Sequence, residues 1–333
     1  MKMWRTLPSP LVKLGFFAMG TQISVSVSAP GSRRRREAAG EAIAEVERMM
    51  QTFGKHWWPW GNGELSRINR RLAEGGVAEI PVAMRVLFGR AWAISRASGG
   101  LYEPRIAQLV QLWGFHDLAA MRQTPPEPAQ VGHYLQALRA APAYDGGATY
   151  GPAPDVGWDF GGIGKGWIVD AALDVLRDRG FPDAVVDAGG NLAARGARGD
   201  NPWRIGIRDP RSDPLSPRLV ATLMAHDEAV NTHGDDQRYF EVDGRRYAHI
   251  LDPATGCPAS GLRSLTVVHA DGTLAEAAGA ALYVAGRQHW PQMARKLGLA
   301  DVLAVNEDGE VEATAHLAKR IRPENGTQIR SVG

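Results

Sequence analysis

The order of hairpin, strand and helix signals along the 333 residues predicts an α+β fold: one globular unit with mixed and antiparallel sheets flanked by helices. Two local patterns carry that prediction. Residues 21–28 alternate apolar Ile23, Val25 and Val27 with Gln22, Ser24, Ser26 and Ser28, the period of a half-buried strand. Residues 238–242 and 245–251 are strand-like and joined by Asp243-Gly244, a dipeptide that suits the two positive φ angles of a tight hairpin turn. A third observation is that the C-terminal half mixes such hairpins with helix-period stretches, which argues against a doubly wound parallel sheet. No internal repeat organises the chain.

The elements follow in order. Pro30-Gly31-Ser32 ends the first strand (about residues 20–28) and offers Ser32 as a helix cap. Ala38, Ala42, Val46 and Met49 then recur at helical spacing, with Glu37 and Glu45 on the outer side. Residues 55–63 form a loop holding Trp57, Trp58 and Trp60. After Pro81 a second helix carries Met84, Leu87, Ala91 and Ile94 on one face and ends at Gly99-Gly100; residues 109–115 continue the apolar core. Residues 123–155 are rich in Pro and Gly and hold a short helix at 128–138. They read as surface connection, not as a linker, because the motifs described below fall on both sides of them. Helices are predicted at 167–179, 274–285 and 289–297, and strands at 184–187, 203–208, 219–224, 264–269 and 302–305.

Composition narrows the function. Lys and Arg number 38 against 36 Asp and Glu, a formal net charge of +2, which offers no basic face for a nucleic acid. The one dense basic run, Arg33 to Arg36, reads as a solvated helix start. A single cysteine, Cys257, excludes a disulfide framework and a cysteine zinc cluster, and sits in a turn where it reads as inert. Lys2 and Arg5 precede an apolar stretch, as in a signal peptide, but Lys13 interrupts it and strand alternation takes over from Thr21. Nothing is long and apolar enough to span a membrane, so the chain is read as a mature cytoplasmic protein.

Three segments carry candidate chemistry. Asp159-Phe160-Gly161-Gly162-Ile163-Gly164-Lys165-Gly166 runs from an apolar approach through four glycines into a helix. Glycines let a backbone come close to a ligand, and the free N–H groups of a helix start favour an anion. The segment is neither a P-loop nor a Rossmann fingerprint, and a glycine-rich packing turn accounts for it equally well. Gly189-Gly190 after a short strand suggests a turn at a cleft edge. His249 stands on a strand three residues before the Asp252-Pro253 turn, where a carboxylate could hold it as a general base or where it is simply structural.

Taken together, these segments resemble the ApbE family of FAD:protein FMN transferases over nearly the whole chain. The resemblance is carried by Met19-Gly20-Thr21, residues 64–69 (Glu-Leu-Ser-Arg-Ile-Asn), residues 99–104 (Gly-Gly-Leu-Tyr-Glu-Pro) and Leu112-Trp113-Gly114-Phe115. Residues 159–170, Gly189-Gly190 and residues 249–256 complete it. It implies an FAD cleft within one unit at 19–320, with 1–18 an N-terminal extension and 321–333 a tail. The reaction implied is attack of an acceptor protein's Thr or Ser hydroxyl on the FMN phosphorus, with magnesium at the pyrophosphate and AMP released. By the same resemblance His249 is the base. The cofactor-binding positions are Met19, Asn69, Glu103, Gly161, Gly162, Lys165, Gly189, Gly190, Asp252 and Thr255, and the metal positions are Gly164 (by its carbonyl) and Glu276.

This chain departs from the family pattern at several of those places. The metal segment reads Ala275-Glu276-Ala277-Ala278-Gly279-Ala280, with Glu276 for the aspartate and Ala280 for the threonine. Glu103 and Asn191 each replace an aspartate, and His233 replaces a serine, in what reads as a surface loop. Trp57, Trp58 and Trp60 are read as packing on the neighbouring helix, with stacking on a flavin or adenine ring as the alternative. Two other functions stay open on sequence: an FAD-binding protein without catalysis, and a magnesium-dependent FAD pyrophosphatase in which water replaces the acceptor hydroxyl.

Overall fold

The alternation at residues 21–28 becomes β2 (Thr21–Ser28), whose Ile23, Val25 and Val27 are fully buried. The computed structural model describes residues 11–117, 121–213 and 215–333. β1 (Leu11–Ala18) pairs with β2, followed across one nine-stranded sheet by β5 (Ala184–Ala188), β6 (Asn191–Arg195), β9 (Glu228–Gly234), β12 (Leu262–His269), β13 (Asp301–Asn306), β14 (Val311–Thr314) and β16 (Ile329–Val332). Every neighbouring pair is antiparallel except β14 with β16, as expected of an α+β unit. Smaller sheets join β3 (Ala78–Glu79) to β4 (Thr149–Tyr150), β15 (Ile321–Pro323) to β8 (Leu219–Ala225) and β7 (Trp203–Arg208), and β10 (Tyr239–Val242) to β11 (Arg245–Ala248). The last is the Asp243-Gly244 hairpin, with Val242 opposite Arg245 and both turn residues at positive φ.

The flanks reach into this sheet. Residues 11–18 of the expected extension are β1, which supplies the outer edge of β2 with hydrogen-bond partners. Within the expected tail, β15 pairs with β8 and β16 closes the far edge. Residues 1–10, with Lys2 and Arg5, lie outside the described residues. Among the described residues no helix is long and apolar enough to cross a membrane.

Ser32 caps α1 (Arg33–His56), accepting from Arg35 N at 3.2 Å. The buried face of α1 is Ala39, Ala42, Ile43, Val46 and Met50, so Ala38 and Met49 sit beside it rather than on it. α3 (Val82–Ala97) buries the four residues expected, together with Phe88. α2 (Glu64–Ala73), α4 (Ala107–Leu112) and α5 (Pro128–Ala140) gather around the aromatic core behind the candidate loop. α7 (Gly272–Lys296) merges the two expected helices across Gly286, whose φ of 71° breaks the helical path between them.

α6 (Gly164–Asp178) and α7 cap one another. Asp170 on α6 accepts from Gly272 N at 2.9 Å and Thr273 N at 3.2 Å, while Glu276 on α7 accepts from Gly166 N at 2.7 Å. The first N–H groups of a helix have no partner within it, so each carboxylate satisfies donors that burial would otherwise strand. The two helix starts touch so closely that a Cβ on Gly166 would run into the Gly272 carbonyl oxygen. Gly166→Ala is therefore expected to destabilise the protein by about 3 kcal/mol or more, because the obstacle is backbone and neither helix can shift without losing its cap. Chemical denaturation checks this, and a loss below about 1 kcal/mol would show that the contact relaxes freely.

Candidate active site

Two tight turns start the site. Ala18 pairs with Thr21 around Met19-Gly20, and Asp187 pairs with Leu192 around the loop that turns on Gly189-Gly190. All four turn residues have positive φ (52°, 71°, 67° and 93°), the geometry that matches strand twist in a two-residue hairpin. A non-glycine residue holds that conformation only where its surroundings enforce it, and Met19 lines a cavity of about 400 Å³ between these turns, the 159–165 loop and α7. Gly189 has a second reason to be glycine, since a Cβ there would overlap the Thr21 hydroxyl.

Five buried polar atoms in the walls of that cavity have no hydrogen-bond partner: Tyr102 Oη, Asn191 Oδ1, His233 Nε2, His249 Nδ1 and Glu276 Oε1. Buried polar groups are nearly always satisfied, so five orphans on one cavity mark the place where a polar ligand belongs. Gly161, Gly162 and Lys165 line it as expected; Lys165 Nζ donates to Gly161 O at 3.1 Å and lies 3.1 Å from Glu276 Oε1. That ion pair has the distance but not the alignment of a hydrogen bond, which is why Oε1 still counts among the orphans. Arg238, which sequence reasoning missed, adds a second cation to the wall.

His249 follows β11, with its backbone N–H donating to Arg238 O at 3.1 Å. Burial, followed by the charges of Arg238 and Lys165, lowers its pKa to about 4. The nearby carboxylate does not hold it: Asp252 spends its oxygens on Ala254 N and the Thr255 hydroxyl, fixing its own turn. His233 is not on a surface loop. It belongs to β9, faces the cavity against Gly279, and burial with the Lys165 charge lowers its pKa to about 3. Both imidazoles are therefore neutral near pH 7, with a lone pair free to accept a proton.

That sets a pH expectation. A histidine active as neutral base loses activity on protonation, and its lowered pKa moves that loss to more acid pH. If His249 is the base, kcat/KM for its reaction stays level from pH 8 down past 6.5 and falls only toward about 4. An acid limb centred near 6.5, with circular dichroism showing a folded protein, would contradict the buried environment.

Other sequence-derived site residues play different parts. Asn69 does not line the cavity: its Nδ2 donates to Trp158 O at 2.9 Å and its Oδ1 accepts from Trp158 N at 2.8 Å, aligning the strand-like approach to the glycine loop. Asp252 and Thr255 likewise lie behind the wall, closing the turn that carries Pro253. Gly190 shapes its turn without lining the cavity. Glu103 does line it, but both its carboxylate oxygens are bonded to Arg105 at 2.8 Å. Trp57 stacks on Phe53 with centroids 5.1 Å apart, as packing predicts, while Trp58 and Trp60 make an edge-to-face pair at the cavity.

The two metal positions do not add up to a magnesium site. Gly164 lines the cavity, but Glu276 has one oxygen on Gly166 N and the other beside the Lys165 ammonium. Gly279 and Ala280, one turn along α7, bring no side-chain oxygen, and the His233 ring lies 2.7 Å from where a Cβ on Gly279 would stand. Among the described residues no group of three or more His, Cys, Asp or Glu could hold an ion. A dication about 4 Å from an ammonium is repelled by roughly 8 kcal/mol at an effective dielectric of about 20, so an ion here would have to compete with Lys165 for the one carboxylate.

A cavity built from paired hairpin turns, a glycine loop at a helix start and two neutral imidazoles has the cations to receive an anion and the lone pairs to accept a proton. The comparisons give that cleft a family. The family model described as "ApbE family" matches residues 19–303, and the chain belongs to it. A Rhodobacter capsulatus protein named FAD:protein FMN transferase is 32% identical over 327 residues, covering 96% of this chain, which spans 60% of that relative's length. A Vibrio cholerae protein of the same name is 28% identical over 312 residues, covering 90% of this chain and 89% of its own. The crystal structure of the ApbE protein from Thermotoga maritima superimposes with a TM-score of 0.82 at 28% identity, covering 94% of this chain and 99% of its own.

Proposed function

We propose that this chain is an FAD:protein FMN transferase, moving FMN from FAD to a Thr or Ser hydroxyl of an acceptor protein and releasing AMP. The observation that carries the reading is the set of five buried polar atoms without a hydrogen bond around one cavity, with the glycine loop and Lys165 on one wall and His249 on another. The glycines admit the diphosphate close to the backbone, and Lys165 and Arg238 supply positive charge where phosphoryl transfer builds negative charge. His249 takes the proton of the acceptor hydroxyl as its oxygen bonds to the FMN phosphorus; the bond to the bridging oxygen breaks, and AMP leaves with it. Tyr102 and Asn191 are read as ligand-binding groups, while Asn69, Asp252 and Thr255 act by holding the loops that carry the site. Magnesium comes with the family resemblance alone, and no step here is routed through it.

A cytoplasmic setting belongs to the same reading. The test is co-expression with an acceptor domain bearing a Ser/Thr flavinylation segment, followed by a denaturing gel read for flavin fluorescence. A fluorescent acceptor band supports the transferase. AMP released without acceptor would replace it with FAD hydrolysis, and bound FAD with neither product would replace it with a non-catalytic flavin binder.

A further inference from the structure

We propose that the diphosphate of FAD is neutralised in this cleft by the Lys165 ammonium, held in place by Glu276, and that FAD therefore binds without a divalent cation. The inference rests on the FAD reading above and adds to it the means of charge neutralisation. An ammonium has three N–H donors. One of those on Lys165 is donated to Gly161 O at 3.1 Å, and the ammonium lies 3.1 Å from Glu276 Oε1 as an ion pair, which leaves donors for the cavity that the residue lines. Glu276 is itself fixed by Gly166 N at 2.7 Å, so the cation stands on a rigid support at the start of α6 rather than on a mobile stem. Gly161 and Gly162 leave the approach to it free of side chains, and the helix start adds favourable potential for an anion.

The same residues leave a metal ion little to bind. Glu276 is engaged by Gly166 N and the Lys165 ammonium, Gly279 and Ala280 carry no side-chain oxygen, and the ring of His233 fills the space over Gly279. The loop's other acid, Asp159, turns Oδ1 onto Gly161 N at 2.8 Å. The side chains one turn along α7 are thus apolar and Glu276 is already engaged, while a fixed positive charge stands beside them.

The purified full-length chain is titrated with FAD by flavin fluorescence, once with EDTA and once with excess magnesium. The expected dissociation constants agree within about twofold, and Lys165→Gln weakens binding by about 10- to 100-fold without recovery on adding magnesium. A wild-type affinity that rises more than about tenfold with magnesium overturns the inference and leaves the FAD reading intact. Magnesium rescue of Lys165→Gln overturns it as well. Absence of FAD binding in both buffers would instead remove the functional reading beneath it, and the wild-type titrations decide between these outcomes even if the variant fails to fold.

Discussion

His249→Ala is expected to lower the rate of FMN transfer by about 10²- to 10⁴-fold while FAD still binds with nearly wild-type affinity. The split follows from the surroundings of the residue. His249 is neutral, with its Nδ1 buried and unpartnered, so it makes no ion pair with the diphosphate that its removal would break. Its contribution is confined to the proton of the attacking hydroxyl, a group that becomes acidic only as the new P–O bond forms. Single-turnover transfer to an acceptor domain, with FAD binding measured separately, distinguishes kcat from affinity. If the variant keeps more than about a tenth of the wild-type rate, His249 is not the base, and His233, with Nε2 in the same cavity, becomes the residue to replace next.

Glu276→Ala is expected to cost about 2–4 kcal/mol in stability. It removes the acceptor of Gly166 N and the counter-charge of Lys165 in one step, and Glu276 is itself completely buried. Lys165 is partly exposed and swings toward water, which keeps the cost in the lower part of the range for a broken buried pair. Glu276→Gln retains an acceptor for the Gly166 N–H and should lose less than half as much. Denaturant midpoints of the three proteins test the order, and an alanine variant as stable as wild type would mean that Glu276 is not the cap of α6.

Much of this was legible in sequence because it is local. Ser32 as a cap, Asp243-Gly244 as a turn, the apolar face of α3 and the glycine loop entering a helix all express preferences of a few neighbouring residues. The family, too, could be read from short ordered motifs, and with it the position of His249 in the cleft. β1 was missed because Leu-Val-Lys-Leu-Gly-Phe-Phe-Ala carries no apolar–polar alternation of its own and takes its order from β2, and β16 because its pairing with β14 crosses a gap that no local pattern encodes.

The roles of individual side chains depended on the tertiary structure, since a role is set by what lies across the gap. Asn69 and Asp252 have the chemistry to bind a nucleotide, yet their hydrogen-bonding groups are spent on Trp158 and on the Asp252 turn. His233 looked like a loop residue, but β9 pairs with β12 and turns its ring onto Gly279, where the missing Cβ makes the room. Glu276 has the charge of a metal ligand, and the packing of α6 on α7 gives it a helix start and a lysine instead. The sequence by itself determined the fold class, the family and the residue types available to the cleft. Which of them face the ligand was decided by long-range packing, because burial, pairing and the space left by a glycine exist only once distant segments meet.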